Sequence, residues 1–375
     1  MTAKAGKSCL YEERTDDVSE RQDCTVYRIG NETGAAVMNS YPVFPSIDLI
    51  YNDVHMQGRV ITNARTDTVF EINHCSEGRV EYGLAGGFFY LSPGDLSVSV
   101  GADMGYSVYY PTGHYHGITV LVDTKKAPKC LSCFLDDVKV SPESLMERFT
   151  TDGKGFISRS DTGIEHVFSE LYSVPEAIRK GYLKVKILEL FLYLSALDFV
   201  GNETAERIIT RKQSELAKSV CSYLEENMAE RVTLDILHIS QKESEVPHVA
   251  TCNYIKAKKQ NQSAMRAVIR YVSQDAKTLD ENGHRYLSGI NCMLAKEFHM
   301  SGTSIKNSFK AVYGVSLYAF IRARKMRYAA KLLKDSTMSV LEIAGSVGYE
   351  NGSKFAKAFR ETMGVNPIEY RNTYH

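Results

Sequence analysis

The sequence predicts an α+β chain: an N-terminal antiparallel β-barrel with a helical extension, then a C-terminal all-α domain built on a duplicated unit. Three observations predict it. Between about Thr25 and Asp123, short runs rich in Val, Tyr and Phe are broken every few residues by Gly, Pro, Asn or Asp. After Lys125 the apolar residues recur at helical spacing instead. Near the end, residues 301–320 (SGTSIKNSFKAVYGVSLYAF) are echoed fifty residues later by 351–370 (NGSKFAKAFRETMGVNPIEY). At 375 residues the chain exceeds one ordinary core, so at least two domains are expected.

Residues 1–24 are polar and expected to be a flexible N-terminus. The first domain is assigned to residues 25–205. Its β portion rests on the runs TVFEINH, RVEYGLA, FFYLSPGDLSVSV, GYSVYYP and HGITVLV, whose length and turn residues argue an antiparallel sandwich or barrel. GGFFYLSPGDLSVSV carries the most information. Pro93 presets φ at the first central turn position and Gly94 takes φ above zero, so the chain can reverse between two strands. Strand, Pro-Gly-Asp turn and strand together resemble the way small cupin-like barrels are written, so a cupin-like barrel is expected. Tyr106, Tyr109, Tyr110 and Tyr115, at strand ends, fit an apolar ligand pocket or a plain core.

The helical extension follows. SPESLMERF (141–149) has Ser141 as N-cap, GIEHVFSELYS lies near 163–173, and a long helix is expected from about Pro175 to Val200. In that helix Ile178, Leu183, Ile187, Leu190, Phe191 and Leu194 recur at helical spacing, and Val185, Leu188 and Leu192 widen the apolar face. This face is expected to pack on the barrel, with dimer contact as an added role. GNET (201–204) reads as a hinge. The second domain is assigned to 212–375, opening with an amphipathic helix over 216–228. An insertion at about 238–288, polar and weakly periodic, interrupts it.

Each copy of the repeat follows a short apolar helix seed, LAKEF at 294–298 and EIAGSV at 342–347. Short helix, tight turn and second helix is the sequence form of a helix-turn-helix, and two in tandem imply a reader of two adjacent duplex segments. In the first copy Ser301 caps the second helix, Ile305, Phe309 and Val312 face inward, and Thr303, Lys306, Asn307 and Lys310 face out. In the second, Asn351 caps, Ile343, Ala344, Val347, Phe355 and Phe359 face inward, and Ser353, Lys354, Lys357 and Arg360 face out. Amides, hydroxyls and ammonium groups suit base edges, and a Lys or Arg suits phosphate. Between the copies, SLYAFIRARKMRYAAKLLKDS (316–336) reads as one helix of roughly 30 Å. Tyr318, Ile321, Ala329 and Leu332 are placed on its inner side, and Arg322, Arg324, Lys325 and Arg327 crowd its first half. Charge agrees with this division. The formal net charge is zero, yet residues 291–375 hold thirteen Lys and Arg against six Asp and Glu, so the remainder is acidic.

Residues 294–371 resemble the DNA-binding domain of the AraC/XylS family of bacterial transcription regulators. The second copy carries the more specific marks: Glu342-Ile343-Ala344, Val347-Gly348-Tyr349, Phe355 to Arg360, and the MGxxPxxYR run from Met363 to Arg371. The resemblance implies base reading by Thr303, Lys306, Asn307, Ser353, Lys354 and Lys357, and phosphate contact by Lys310 and Arg360. It also implies a sensor and dimerisation role for the front domain, and promoter DNA, RNA polymerase, a small-molecule effector and a second copy as partners, with activation favoured over repression. The insertion departs from the family pattern. A degenerate regulator, binding through the second unit only, is therefore a competing reading.

An enzymatic class is also weighed, a metal-dependent cupin with a DNA-binding tail. His74, His114 and His116 would be its metal ligands, with Glu71 or Glu77 as carboxylate. EINHCSEG supplies only one His, so the expectation is no enzyme, no cofactor, no metal and no catalytic residues. Cys130 and Cys133 form a lone CxxC that no second pair completes. Scattered cysteines and the polar start imply a reduced, cytoplasmic setting. The most apolar stretch, KILELFLYLSALDFV, is too short and too charged to span a bilayer.

Overall fold

A computed structural model describes residues 17–61, 68–84, 86–100, 106–131, 140–150, 156–197, 208–231, 294–349 and 351–374. Two compact units divide the chain, Met1–Arg211 and Lys212–His375. Residues 238–288, read from sequence as an insertion, lie outside the described residues.

The first unit is built on twelve described strands in two antiparallel sheets. The larger has the order β1-β2-β3-β4-β11-β6-β9-β12, comprising β1 (Asp17–Glu20), β2 (Thr25–Asn31), β3 (Gly34–Phe44), β4 (Ile47–His55), β6 (Val69–Gly78), β9 (Asp95–Val100), β11 (Tyr115–Asp123) and β12 (Phe156–Arg159). The smaller runs β5-β10-β7-β8, from β5 (Gly58–Ile61), β10 (Tyr106–Tyr109), β7 (Val80–Leu84) and β8 (Gly87–Leu91). Strand β1 corrects the expectation of a flexible start throughout residues 1–24. Its four residues pair in register with β2, Asp17 opposite Arg28, and a charged strand is stable at a sheet edge because the ladder bonds do not depend on burial.

The alternation of side chains divides the larger sheet into two faces. Ala36, Met38, Ile50, Val54, Cys75, Leu121 and Ile157 meet Phe89, Leu91 and Val108 of the smaller sheet and its surroundings. Ile47, Leu49, Phe70, Ile72, Leu96, Val98, Ile118, Val120 and Val122 face the helices on the other side. Those helices are α1 (Pro142–Thr150), α2 (Thr162–Leu171) and α3 (Arg179–Ala196). Ser141 accepts from the Ser144 N–H at 3.1 Å and Asp161 from the Ile164 N–H at 2.8 Å, so two caps start two of the three.

Two sequence expectations change here. The Pro93-Gly94 turn forms, with Gly94 at φ 77 and the Asp95 N–H donating to Ser92 O at 2.9 Å. The strands it joins do not pair with each other: β8 pairs with β7, and β9 with β6 and β12. The turn therefore carries the chain from one sheet to the other, because a local turn sets the chain's direction and leaves the choice of neighbour to the core. The long third helix is also shorter and narrower than expected. A 3-10 turn at Glu176–Ile178 precedes α3. Leu183, Ile187, Leu190, Phe191 and Leu194 are buried, whereas Val185 is 61% exposed and Leu192 36%. Residue 186, a Lys, is buried instead, held by Glu170 of α2 and by Glu189 at 2.7 Å. Tyr110 and Tyr115 are core residues, stacked at 5.9 Å.

The second unit is helical: α4 (Arg211–Arg231, entering from the first unit's last residue), a turn of helix at 294–297, α5 (Gly302–Tyr313), α6 (Leu317–Asp335), α7 (Val340–Ser346), α8 (Gly352–Met363) and α9 (Pro367–Tyr374). Among the described residues no helix is long and apolar enough to cross a membrane.

Candidate nucleic-acid interface

The second helix-turn-helix is assembled by local chemistry at every junction. Ser339 opens α7 with a capping box: its hydroxyl accepts from the Glu342 N–H at 3.2 Å and its own N–H donates to the Glu342 carboxylate at 2.7 Å. Those Ser339 donors, the backbone N–H foremost, hold the Glu342 carboxyl below the usual carboxylate range. Helix α7 ends in a reversal where Gly348 takes φ 82 and the Tyr349 N–H reaches back to Ala344 O at 2.9 Å. Asn351 then accepts from the N–H groups of Ser353 and Lys354 at 2.9 and 3.1 Å, starting α8. Gly364 at φ 81 closes α8. Beneath these helices Ile343, Ala344, Val347, Phe355, Ala358 and Phe359 meet Met326, Ala329 and Leu333 of α6. Tyr349, Phe355, Phe359, Tyr370 and Tyr374 continue the core as a chain of ring contacts. Ser353, Lys354, Lys357 and Arg360 are all exposed along the outer side of α8.

The first unit repeats this plan with one substitution. Ser301 caps α5 by accepting from the Ser304 N–H at 3.1 Å, and Gly314 closes it at φ 75. In the turn before the cap, His299 stands where the second unit has Gly348, and it takes φ 52. The hydrogen bonds match: Met300 N–H reaches Ala295 O at 3.1 Å. Ile305, Phe309 and Val312 are buried, with Phe309, Tyr313 and Phe320 in mutual ring contact. Thr303, Lys306, Asn307 and Lys310 are exposed.

The concern raised by the insertion is whether the upstream helix still reaches this unit. It does. Tyr223 of α4 meets Phe298 edge-on at 5.9 Å, and Glu225 of α4 forms an ion pair with Arg324 of α6. Ala217, Val220, Cys221 and Leu224 are buried along the same helix.

Helix α6 spans 19 residues, roughly 28 Å at about 1.5 Å per residue. Its arginines do different work from what their clustering suggests. Arg324 is paired with Glu225 and lies over the Phe320 ring at 5.3 Å. Arg322 pairs with Glu361 of α8 at 3.0 Å. One arginine thus fastens α6 to the helix before the first helix-turn-helix, and the other fastens it to α8. Arg327 is exposed. The buried stripe also differs from the sequence reading: Ile321 and Ala329 are inside, but Leu317, Met326, Ala330 and Leu333 accompany them, while Tyr318 is 37% exposed and Leu332 half-buried. A helix packed on both units buries two overlapping faces, which a single-stripe reading does not resolve. The signal for the clamps was the acidic partner in each neighbouring helix, Glu225 and Glu361.

Of the metal set considered for an enzyme, His74 is engaged elsewhere, whereas Glu77 stands opposite His116 in the β6–β11 ladder. Both His74 ring nitrogens are engaged, Nε2 with Glu165 at 3.0 Å and Nδ1 with Tyr172 Oη at 3.3 Å, and the ring stacks on Phe168 at 4.2 Å. Glu71 lies three residues away on the same strand, and so on its other face. The His114 and His116 rings are 6.2 Å apart. Cys130 is exposed, and Cys133 lies outside the described residues.

A family model described as a helix-turn-helix domain matches residues 294–373. Over 98 residues the chain is 37% identical to the virulence regulon transcriptional activator VirF of Yersinia enterocolitica, an overlap of 26% of this chain and 35% of that protein. Over 77 residues it is 39% identical to the HTH-type transcriptional regulator ExsA of Pseudomonas aeruginosa, 20% of this chain and 28% of that one. The chain thus spans about a third of the length of the curated relatives it matches. Among solved structures, fatty-acid-bound ToxT from Vibrio cholerae aligns with 94% of this chain and 97% of its own at 13% identity and a TM-score of 0.27. With the two capped and closed units above, the match shows that residues 294–373 of this chain form a helix-turn-helix domain.

Proposed function

We propose that this chain is a sequence-specific DNA-binding transcription regulator that reads two adjacent major grooves through its tandem helix-turn-helix units, and not an enzyme. One observation carries the reading: α5 and α8 each rest on a closed aromatic core and turn a polar, basic face outward. Thr303, Lys306 and Asn307 read bases from the first helix, and Ser353, Lys354 and Lys357 from the second. Lys310 and Arg360 contact phosphates. Helix α6, 19 residues and so roughly 28 Å long, is of the order of the ~34 Å turn of B-DNA and supports the units addressing successive grooves. The docking of α4 on the first unit favours binding through both units over the degenerate reading.

Promoter DNA is the proposed partner, with RNA polymerase recruited to activate and the cytoplasm as the site of action. The N-terminal unit, Met1–Arg211, is the sensor and pairing domain. An effector site within it is supported by a polar row across the inner face of the larger sheet. There Asn52 donates to Thr119 at 2.9 Å and Thr119 donates to Asn73 at 2.7 Å, while Asn73 Nδ2 and Ser97 Oγ are buried with no hydrogen-bond partner.

The test separates specificity from affinity. Lys357→Ala should cut binding to the cognate promoter by roughly 1–3 kcal/mol more than binding to unrelated duplex. Arg360→Ala should weaken both alike and lower the slope of log affinity against log salt by about one. Salt-titrated binding assays that find Lys357→Ala indistinguishable from the parent would remove Lys357 from the reading face.

A further inference from the structure

Outside the DNA-binding unit, one cluster of side chains has the composition and geometry of a ligand set. Asp53 and His55 lie two residues apart on β4 and so share a face. Strand β11 places His116 directly opposite Asp53. The side chains converge: His55 Nε2 is 2.9 Å from Asp53 Oδ1, and His116 Nδ1 is 3.3 Å from the same oxygen. The two imidazole rings meet at 5.1 Å, and one donor atom from each of the three residues lies within 4.8 Å of the other two. We propose that Asp53, His55 and His116 bind one divalent transition-metal ion in the N-terminal unit, a site that shares only His116 with the histidine set weighed from sequence.

Geometry supports the proposal first. Bonds of about 2.0–2.2 Å to a tetrahedral ion set its ligand atoms roughly 3.4 Å from one another. The carboxylate-to-imidazole distances, 2.9 and 3.3 Å, are a little shorter than that, so the ion enters once side chains that are 52%, 64% and 32% exposed rotate slightly apart. Chemistry supports it next. Two imidazoles and one carboxylate suit zinc, nickel, cobalt or iron(II) over magnesium or calcium, which prefer oxygen alone. The exposed face leaves a position for water or a fourth ligand. The scaffold supports it third. Strands β4 and β11 are neighbours in an eight-stranded sheet, and Ser76 Oγ donates to His116 O at 2.9 Å, fixing the backbone that carries one ligand. Each strand contributes at least one ligand, so the ion links them.

The alternative is that Asp53 merely accepts hydrogen bonds from two surface imidazoles. Titration of the full chain with Co²⁺ and Zn²⁺, after chelator treatment and exchange, distinguishes the two. The expected result is one equivalent of Co²⁺ taken up with the visible absorption of a nitrogen- and oxygen-ligated ion, and displacement of that absorption by Zn²⁺. The thermal midpoint of the first unit should rise with metal concentration. His55→Ala and His116→Ala should each weaken uptake at least about tenfold, as should the isosteric Asp53→Asn, while circular dichroism of all three matches the parent. Cys130→Ser should leave uptake unchanged. Binding that survives the His55→Ala, His116→Ala double variant, binding abolished by Cys130→Ser, or no uptake by the folded parent would each overturn the proposal. DNA binding by α5 and α8 is a separate measurement, so either idea can fail alone.

Discussion

Two residues in matching turns meet the same backbone demand with different chemistry. His299 and Gly348 each take the left-handed conformation that ends a positioning helix, at φ 52 and 82. Glycine enters this region without penalty, whereas a residue with a Cβ pays roughly 1–2 kcal/mol. His299→Gly should therefore stabilise the second unit by about 0.5–1 kcal/mol, and Gly348→Ala should destabilise it by about 1 kcal/mol or more. Urea unfolding followed by circular dichroism measures both, and a destabilised His299→Gly would show that the imidazole makes a stabilising contact outweighing its strain. At this scale the exposed faces of α5 and α8 were legible in sequence, because outward positions on a capped amphipathic helix follow from the period alone. His299 was not, since the sequence identifies a turn there without saying which of its residues turns left-handed.

At the scale of elements, the apolar seat of α2 on the larger sheet includes one buried base. His74 is 2% exposed, stacked on Phe168, and flanked by Glu165 and Tyr172. Burial lowers its pKa from the ordinary 6.5, the nearby Glu165 and Asp95 opposing this and Arg159 adding to it. A base whose folded pKa is depressed leaves the unfolded chain to bind the proton first. The first unit should thus hold its full stability above about pH 6.5 and lose stability as the pH falls below it. His74→Gln should flatten that fall, read as the difference in urea midpoint between pH 7.5 and 5.5 in the two proteins. A fall of equal size in His74→Gln would assign the acid sensitivity to other groups. From sequence His74 was weighed as a metal ligand and set aside, but its stacking under α2 was not legible, because a lone histidine on a strand carries no mark of the helix that will cover it.

For the molecule as a whole, two contacts of the second unit decide what the 238–288 stretch can do to it. Tyr223 on Phe298 and Glu225 on Arg324 hold α4 against the first helix-turn-helix, across a long separation in the chain. Deleting residues 240–288 should leave a soluble, folded protein whose DNA binding is retained or strengthened. Loss of soluble protein would show that the stretch is structural. In the first unit, Ile178, Val185 and Leu192 recur every seven residues and are 52%, 61% and 36% exposed, with Tyr193 beside them at 40%. This stripe is the proposed surface for a second copy, and Val185→Glu with Leu192→Glu should convert a dimer to a monomer in sedimentation equilibrium. An unchanged mass would place any pairing elsewhere.

The sequence by itself determined the α+β class, the tandem repeat, the caps at Ser301 and Asn351 and the inward Phe309 and Phe359, because each depends on interactions within a few residues along the chain. Tertiary structure alone decided that the Pro93-Gly94 turn exchanges sheets, that Arg322 and Arg324 serve as clamps, and that Asp53 and His55 meet His116 while His74 meets Glu165. Those outcomes depend on which distant strand or helix wins a shared core, and that competition is settled by the whole packed volume rather than by local periodicity.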